Sequence, residues 1–99
     1  MEVRIQSIHF DATEQLQAFI QKKAIRLEKY YEDIRKVEVV LKVVKPETAK
    51  NKEAAIRVFV PNEELYAEKV CDTFEEAVDN GLEAISKQLL KYKEKLRGK

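Results

Sequence analysis

Apolar residues recur along this chain with two different periods, and the change of period separates strands from helices. Over residues 3–8, apolar and polar side chains alternate, which predicts a first strand with one buried face. Three further segments alternate in the same way and are predicted strands: residues 36–44, 53–60 and 65–71. Lys69 interrupts the alternation of the last segment, which predicts a bend or a bulge there.

Two longer segments space their apolar residues three and four positions apart, as amphipathic helices do. The first is predicted to begin after Asp11 or Thr13, both suitable N-caps, and to run to about Tyr31. Its apolar stripe consists of Leu16, Phe19, Ile20, Ala24, Leu27 and one of Tyr30 or Tyr31. The second begins after Thr73, where Glu76 completes a capping box. Its stripe consists of Phe74, Val78, Leu82, Ile85, Leu89, Tyr92 and Leu96.

The predicted order of elements is β-α-β-β-β-α. A helix joins the first two strands, which favours a parallel pair with a right-handed crossover. The later strands are joined by a polar loop at residues 45–52, expected to be mobile, and by a short turn at Pro61, so they are expected to be antiparallel. We therefore expect a single α+β domain in which both helices pack on one face of a four-stranded mixed sheet.

Composition narrows the possible partners and cellular location. The chain has 99 residues, 19 basic and 18 acidic, and a formal charge of +1, so its bulk charge does not favour a polyanionic partner. The one cysteine, Cys71, forms no disulfide within the chain, and the first residues lack an apolar run of signal-peptide length. No segment is long and apolar enough to cross a membrane, and we expect a cytoplasmic protein.

Basic residues nevertheless cluster locally on both helices. From Lys87 to the end there are six basic residues and one acidic, an arrangement that also complements the helix dipole for about 0.3–1 kcal/mol per charge. The dipole does not explain the basic residues of the first helix. If the helices lie side by side, one phosphate-binding surface is predicted from Lys22, Lys23, Arg26, Lys29, Lys87, Lys91 and Lys95.

Few residues suggest other chemistry. His9 is the only histidine, no spacing predicts a metal site, and no nucleophile–base pattern or glycine-rich phosphate loop favours an enzyme. Phe59 and Tyr66 are predicted to pair across neighbouring strands on the open face of the sheet, with a base-stacking platform as the alternative. The order of elements excludes an RNA-recognition motif, and the lack of a GXXG loop excludes a KH domain.

Four sequence patterns point to one family. They are DTFEEAVD at residues 72–79, KQLLKYKEK at 87–95, F-x-A-T-x-x-L at 10–16 and P-x-x-x-L-x-A at 61–67. Their order and spacing over nearly the whole chain resemble the ribosome hibernation promoting factor family, also called the ribosome-associated inhibitor or sigma-54 modulation family, in its short form. The chain departs from the family at Ala84 and Leu90, where basic residues are common, so its helix is less basic.

The resemblance implies a ribosome-binding hibernation-factor domain over residues 1–99. Such a domain would bind the small ribosomal subunit and its ribosomal RNA in the channel for messenger and transfer RNA, and would block translation sterically during stationary phase or stress. The resemblance implies no cofactor, no membrane, no small-molecule substrate and a monomeric free protein. Two alternatives stay open: a general RNA-binding module, and a protein-interaction domain that uses the open sheet face.

Overall fold

The elements follow the predicted order in a computed structural model that describes residues 1–44 and 50–98. They are β1 (Glu2–Ile8), α1 (Glu14–Ile25), a short 3-10 helix (Arg26–Lys29), β2 (Lys36–Val43), β3 (Lys52–Val60), β4 (Glu63–Cys71) and α2 (Phe74–Arg97). Most of the loop predicted at residues 45–52 lies outside the described residues. No helix within the described part is long and apolar enough to span a membrane.

The four strands form one sheet in the order β1-β2-β3-β4. β1 and β2 are parallel, and β2–β3 and β3–β4 are antiparallel, as predicted. Pro61 and Asn62 close the β3–β4 hairpin, because Val60 pairs with Glu63. Asn62 has a φ of 66°, and proline followed by a residue with positive φ is typical of a type II turn.

Both helices cover the same face of this sheet, which confirms the predicted architecture. Val37 and Val39 of β2 lie opposite Val58 and Ile56 of β3, and all four side chains are fully buried. The helices supply the other side of the core, with Ile20 on α1 and the following residues on α2: Val78, Ile85 and Leu89. Burial of these side chains, each worth about 1.5–3 kcal/mol, holds the helices in fixed positions on the sheet.

The structure selects one of the two predicted N-caps of helix α1, and the α-helix ends earlier than predicted. Thr13 is the N-cap, since its Oγ1 accepts a hydrogen bond from the Leu16 amide at 3.1 Å, and Asp11 is not. The α-helix ends at Ile25 and tightens into the 3-10 helix, in which Tyr30 N donates to Leu27 O at 2.9 Å. This tighter turn buries Leu27 and leaves the side chain of Tyr30 half-buried beside α2.

Strand β4 and the end of α2 also differ from the prediction. The β3–β4 register runs unbroken through Lys69, so there is no bulge. The side chain of Lys69 lies close to Gly81 of α2, since its Cγ is 4.0 Å from the position that a Cβ on Gly81 would occupy. Leu96 is 51% exposed because α2 extends past the sheet. The Tyr92 hydroxyl already donates to Pro61 O at 2.7 Å, in the turn where β3 ends, so Leu96 has no strand beneath it.

Candidate nucleic-acid interface

The two helices lie side by side, and charged groups line the groove between them. Lys23 Nζ of α1 is 3.5 Å from Asp79 Oδ1 of α2. The groove has a volume of about 200 Å³ and is lined by these two residues together with Arg26, Leu27, Tyr30, Leu82, Glu83 and Ser86. Lys23 also contacts the Phe19 ring, with Nζ 5.5 Å from its centroid. Lys23 is therefore partly neutralised before any RNA binds.

The other basic residues of the first helical segment are open to solvent. Lys22, Arg26 and Lys29 are exposed, and none forms a salt bridge with any residue in 1–44 or 50–98. Asp79 and Glu83 lie in the same groove as Arg26, and Glu28 and Glu32 lie in the same cleft as Lys29, but none of these carboxylates is within salt-bridge distance of the three cations. These three cations, which we call the α1 cluster, are free to bind phosphate oxygens.

The lysines of α2 lie on its opposite flank. Lys91 and Lys95 line a second groove with Glu63 and Leu65 of β4, and Lys95 Nζ is 3.8 Å from Glu63 Oε1. Lys87 is exposed and unpaired within the described ranges. A spacing of four residues advances only 40° around a helix, so these lysines share a flank. It is the flank away from α1.

One merged basic surface therefore stays a prediction; the seven residues do not all line the groove between the helices. The helices are adjacent, but α2 separates the α1 cluster from Lys91 and Lys95. The exposed outer side of α2 between them carries Lys87 as well as Glu83, Leu90 and Glu94. Helical periodicity predicted which residues share a flank, and it could not predict which flank would face the other helix. The structure has two basic edges on one helical layer.

The open face of the sheet also carries cations, but carboxylates pair with most of them. The pairs and their shortest distances are Arg4–Glu2 (3.2 Å), Lys36–Glu38 (3.2 Å), Arg57–Glu38 (4.0 Å) and Arg57–Glu64 (2.7 Å). Arg57 pairs across to the neighbouring strands, whereas Arg4–Glu2 and Lys36–Glu38 join residues two apart on one strand, which lie on the same face. The open face thus has less positive charge available for a polyanion than the helical layer.

The two aromatic residues of the open face do not contact each other as predicted. Phe59 lies opposite Glu64 and Tyr66 lies opposite Arg57, so the rings occupy diagonal positions. A cation covers each ring instead, with Lys36 Nζ 4.9 Å from the Phe59 centroid and Arg57 Cζ 5.6 Å from that of Tyr66. Partial burial raises the pKa of the Tyr66 phenol, and its hydrogen bond to Glu68 at 3.0 Å adds to this.

Burial and the nearby charge of Glu68 raise the pKa of Glu53 on the same face. The folded protein therefore binds this proton more tightly than the unfolded chain, and ionised Glu53 destabilises the fold above the raised pKa. We expect Glu53→Gln to increase the free energy of unfolding at pH 7 by about 0.3–0.5 kcal/mol. The gain will disappear as the pH falls through the raised pKa to the ordinary value of 4.5.

Urea titrations of both proteins between pH 4 and pH 8 measure this difference. Glu64→Gln is the matched control, because Glu64 pairs with Arg57 and its removal should lower stability at pH 7. A Glu53→Gln variant that is less stable than the parent at pH 7 would contradict the conclusion that ionised Glu53 destabilises the fold.

Residues that could support other chemistry lie apart from one another. Among residues 1–44 and 50–98, no group of three histidine, cysteine, aspartate or glutamate side chains could hold a metal ion. His9 is exposed in the β1–α1 connection with a φ of 67°, and Cys71 Sγ accepts a hydrogen bond from Asn80 at 3.5 Å. The hydrogen bond from Asn80 gives Cys71 a place in the fold, and His9 belongs to the connection that leads into α1.

One concave site was not predicted from the sequence. A cleft of about 290 Å³ lies where the 3-10 helix ends beside α2, lined by Glu28, Lys29, Tyr30, Tyr31, Glu32 and Lys93. The helical spacing of Lys93 and Ser86, seven residues apart, places both on the α1-facing flank of α2. This spacing could have pointed to the cleft from the sequence, but only with knowledge of which flank of α2 faces α1.

Comparisons with known proteins agree on one family. The family described as sigma 54 modulation protein / S30EA ribosomal protein matches residues 3–97. The chain is 31% identical over 97 residues to the ribosome hibernation promoting factor of Escherichia coli K12, covering 98% of each protein. It is 30% identical over 95 residues to the protein of that name in Pseudomonas putida KT2440, covering 96% of this chain and 89% of the relative.

Two solved structures share the fold. A ribosomal subunit interface protein from Coxiella burnetii superimposes with a TM-score of 0.84 at 22% identity, covering 94% of this chain and 98% of that one. The N-terminal domain of Thermus thermophilus Protein Y superimposes with a TM-score of 0.79 at 20% identity, covering 93% and 99%. The β-α-β-β-β-α arrangement is therefore an established one.

Proposed function

This chain belongs to the sigma 54 modulation protein / S30EA ribosomal protein family, and from that premise we propose that it is a ribosome hibernation factor. It binds the small ribosomal subunit in the channel that messenger and transfer RNA otherwise occupy. Translation then stops because the ligands of the channel are excluded. Because the block is steric, it requires no bond to be made or broken and no cofactor.

The observation that carries this proposal is the uneven distribution of unpaired cations. Within the described residues, Lys22, Arg26, Lys29, Lys87 and Lys91 form no salt bridge, and all five lie on the helical layer. On the open sheet face, Arg4, Lys36 and Arg57 are already paired, and Lys42 is the one described cation there without a salt bridge. Binding to a cation that already pairs with a carboxylate requires that salt bridge to be broken. Unpaired cations therefore contribute more to the binding free energy of a polyanion, and the helical layer is the favoured RNA-binding side.

Each basic residue has a distinct part in the proposed contact. The guanidinium of Arg26 can bind one phosphate with two hydrogen bonds, whereas each lysine supplies a single charge on a flexible stem. Lys23 and Lys95 contribute less, because each must exchange a carboxylate partner for phosphate. The core beneath α1 and α2 keeps the two basic edges at a fixed separation, which suits a folded RNA surface.

Competition on purified small subunits tests the proposal. We expect the protein to co-sediment with these subunits and to prevent binding of transfer RNA programmed by messenger RNA. The five unpaired cations predict that log affinity falls with log salt with a slope of about −3.5 to −4.5. Binding that leaves transfer RNA in place would contradict occupancy of the channel and would favour a general RNA-binding module. Binding insensitive to salt but lost in Phe59→Ala would favour a protein-interaction surface on the sheet.

A further inference from the structure

The cleft at the end of the 3-10 helix adjoins the groove between the helices. Tyr30 lines both cavities, so they share a wall. The groove contributes Arg26, and the cleft contributes Lys29 and Lys93. One concave path therefore leads from the α1 cluster to Lys93 along the α1-facing flank of α2. A flexible strand bound to the α1 cluster could follow this path.

Tyr30 is the residue whose surroundings best fit a ligand. Its side chain is half-buried, and no hydrogen bond joins its hydroxyl to any residue within 1–44 or 50–98. The other buried tyrosine nearby differs, because the Tyr92 hydroxyl donates to Pro61 O at 2.7 Å and its ring contacts that of Tyr31 edge-on at 5.1 Å. Tyr30 thus presents an aromatic surface and a free hydroxyl to the cavities.

The charges around the cleft do not suit a simple anion. Lys29 and Lys93 are balanced by Glu28 and Glu32, so the lining has two positive and two negative groups beside the tyrosine rings. A nucleotide presents the complementary set: a phosphate for the lysines, hydroxyl and amino donors for the carboxylates, and a flat base for an aromatic ring. A base within a duplex cannot enter, because its faces are already stacked.

We propose that this cleft takes one unstacked nucleotide of single-stranded RNA, with its base against Tyr30 and its phosphate bound by Lys29 and Lys93. The 2′-hydroxyl of the ribose would donate to Glu28 or Glu32, which distinguishes RNA from DNA. This site deepens the proposed RNA contact and rests on it, adding a base-dependent contact to binding otherwise directed at phosphates.

Nuclear magnetic resonance titration of the whole chain tests the site. The probes are a single-stranded uridine tetranucleotide and its abasic analogue, which carries the same phosphates without bases. We expect resonances of Glu28, Lys29, Tyr30 and Lys93 to shift, and the base-bearing probe to bind about tenfold more tightly than the abasic one. Tyr30→Leu should remove that preference, whereas Tyr30→Phe should keep it.

Two further variants guard against a change in folding. Tyr66→Leu alters an exposed tyrosine on the open sheet face and should keep the base preference. Lys93→Gln should weaken the binding of both probes while preserving the preference for the base-bearing one.

Equal affinities for the two probes, or shifts centred on Tyr66, would overturn the proposed nucleotide site. Wild-type protein that binds small subunits but shows no base preference would overturn the nucleotide site and leave the ribosomal proposal intact. A base preference without binding to subunits would overturn the ribosomal proposal.

Discussion

Replacing Lys22, Arg26 and Lys29 together with glutamine will weaken binding to small ribosomal subunits by about 1,000-fold or more, because three charged hydrogen bonds at about 1.5 kcal/mol each sum to about 4.5 kcal/mol. These side chains are exposed and unpaired within the described part of the chain, so the fold should survive the substitutions. Glutamine also favours helices nearly as well as lysine and arginine. Co-sedimentation with subunits measures the loss, and circular dichroism confirms folding.

A matched triple substitution separates local contacts from bulk charge. Arg4→Gln, Lys42→Gln and Arg57→Gln together lower the formal net charge by the same three units, from +1 to −2, on the open sheet face. We expect this control to change the affinity less than about threefold, because long-range effects of surface charge are screened at physiological salt. Equal losses from both triples would mean that the α1 cluster makes no specific contact.

Gly81→Ala will destabilise the fold by about 1–2 kcal/mol, although alanine is the better helix former by about 1 kcal/mol. A Cβ at this position would lie 2.6 Å from Ile56 Cδ1 and 3.6 Å from Ile56 Cγ1. Ile56 is fully buried on β3, so its side chain has little room to move. Glycine therefore allows α2 to approach the sheet closely at the point where β3 crosses beneath it.

The effect of Gly81→Ala on the free energy of unfolding should change sign when the clashing atom, Ile56 Cδ1, is removed. Ile56→Val lacks Cδ1 and should cost about 0.5–1.5 kcal/mol by itself. In that background we expect Gly81→Ala to stabilise the protein by up to about 1 kcal/mol, because the new methyl group fills the space left by Cδ1. Urea unfolding of the four proteins in the cycle measures the coupling. A Gly81→Ala variant that is more stable in the presence of Ile56 would refute close packing at this crossing.

Local periodicity was enough to predict the fold because each element has one clear apolar face. The alternation of Val37 and Val39 with polar neighbours predicted β2 and its buried side, and Thr73 predicted the start of α2. Two of the details that failed depend on tertiary contacts among the helices and the sheet. Lys69 stays in register because its aliphatic stem packs beside Gly81, and α1 ends early because the 3-10 turn buries Leu27 beneath α2.

The candidate site was harder to predict because it depends on how the helices are rotated about their axes. The sequence identified the basic residues, but not that Lys91 faces β4 while Lys93 faces α1. The pairing of Lys23 with Asp79 and of Lys95 with Glu63 also depends on contacts between distant segments. Charge clusters in a sequence therefore predict which residues are candidates, and the packing of the helices decides which of them share a surface.

An electron cryomicroscopy structure of this protein bound to small ribosomal subunits would show where it binds and which face contacts the RNA. We predict density in the channel for messenger and transfer RNA, with Arg26 and Lys29 within hydrogen-bond distance of ribosomal RNA phosphates. The open face of the sheet, with Arg57 and Tyr66, should be turned away from the phosphates. Density outside that channel, or ribosomal RNA seated on the open sheet face, would contradict this prediction.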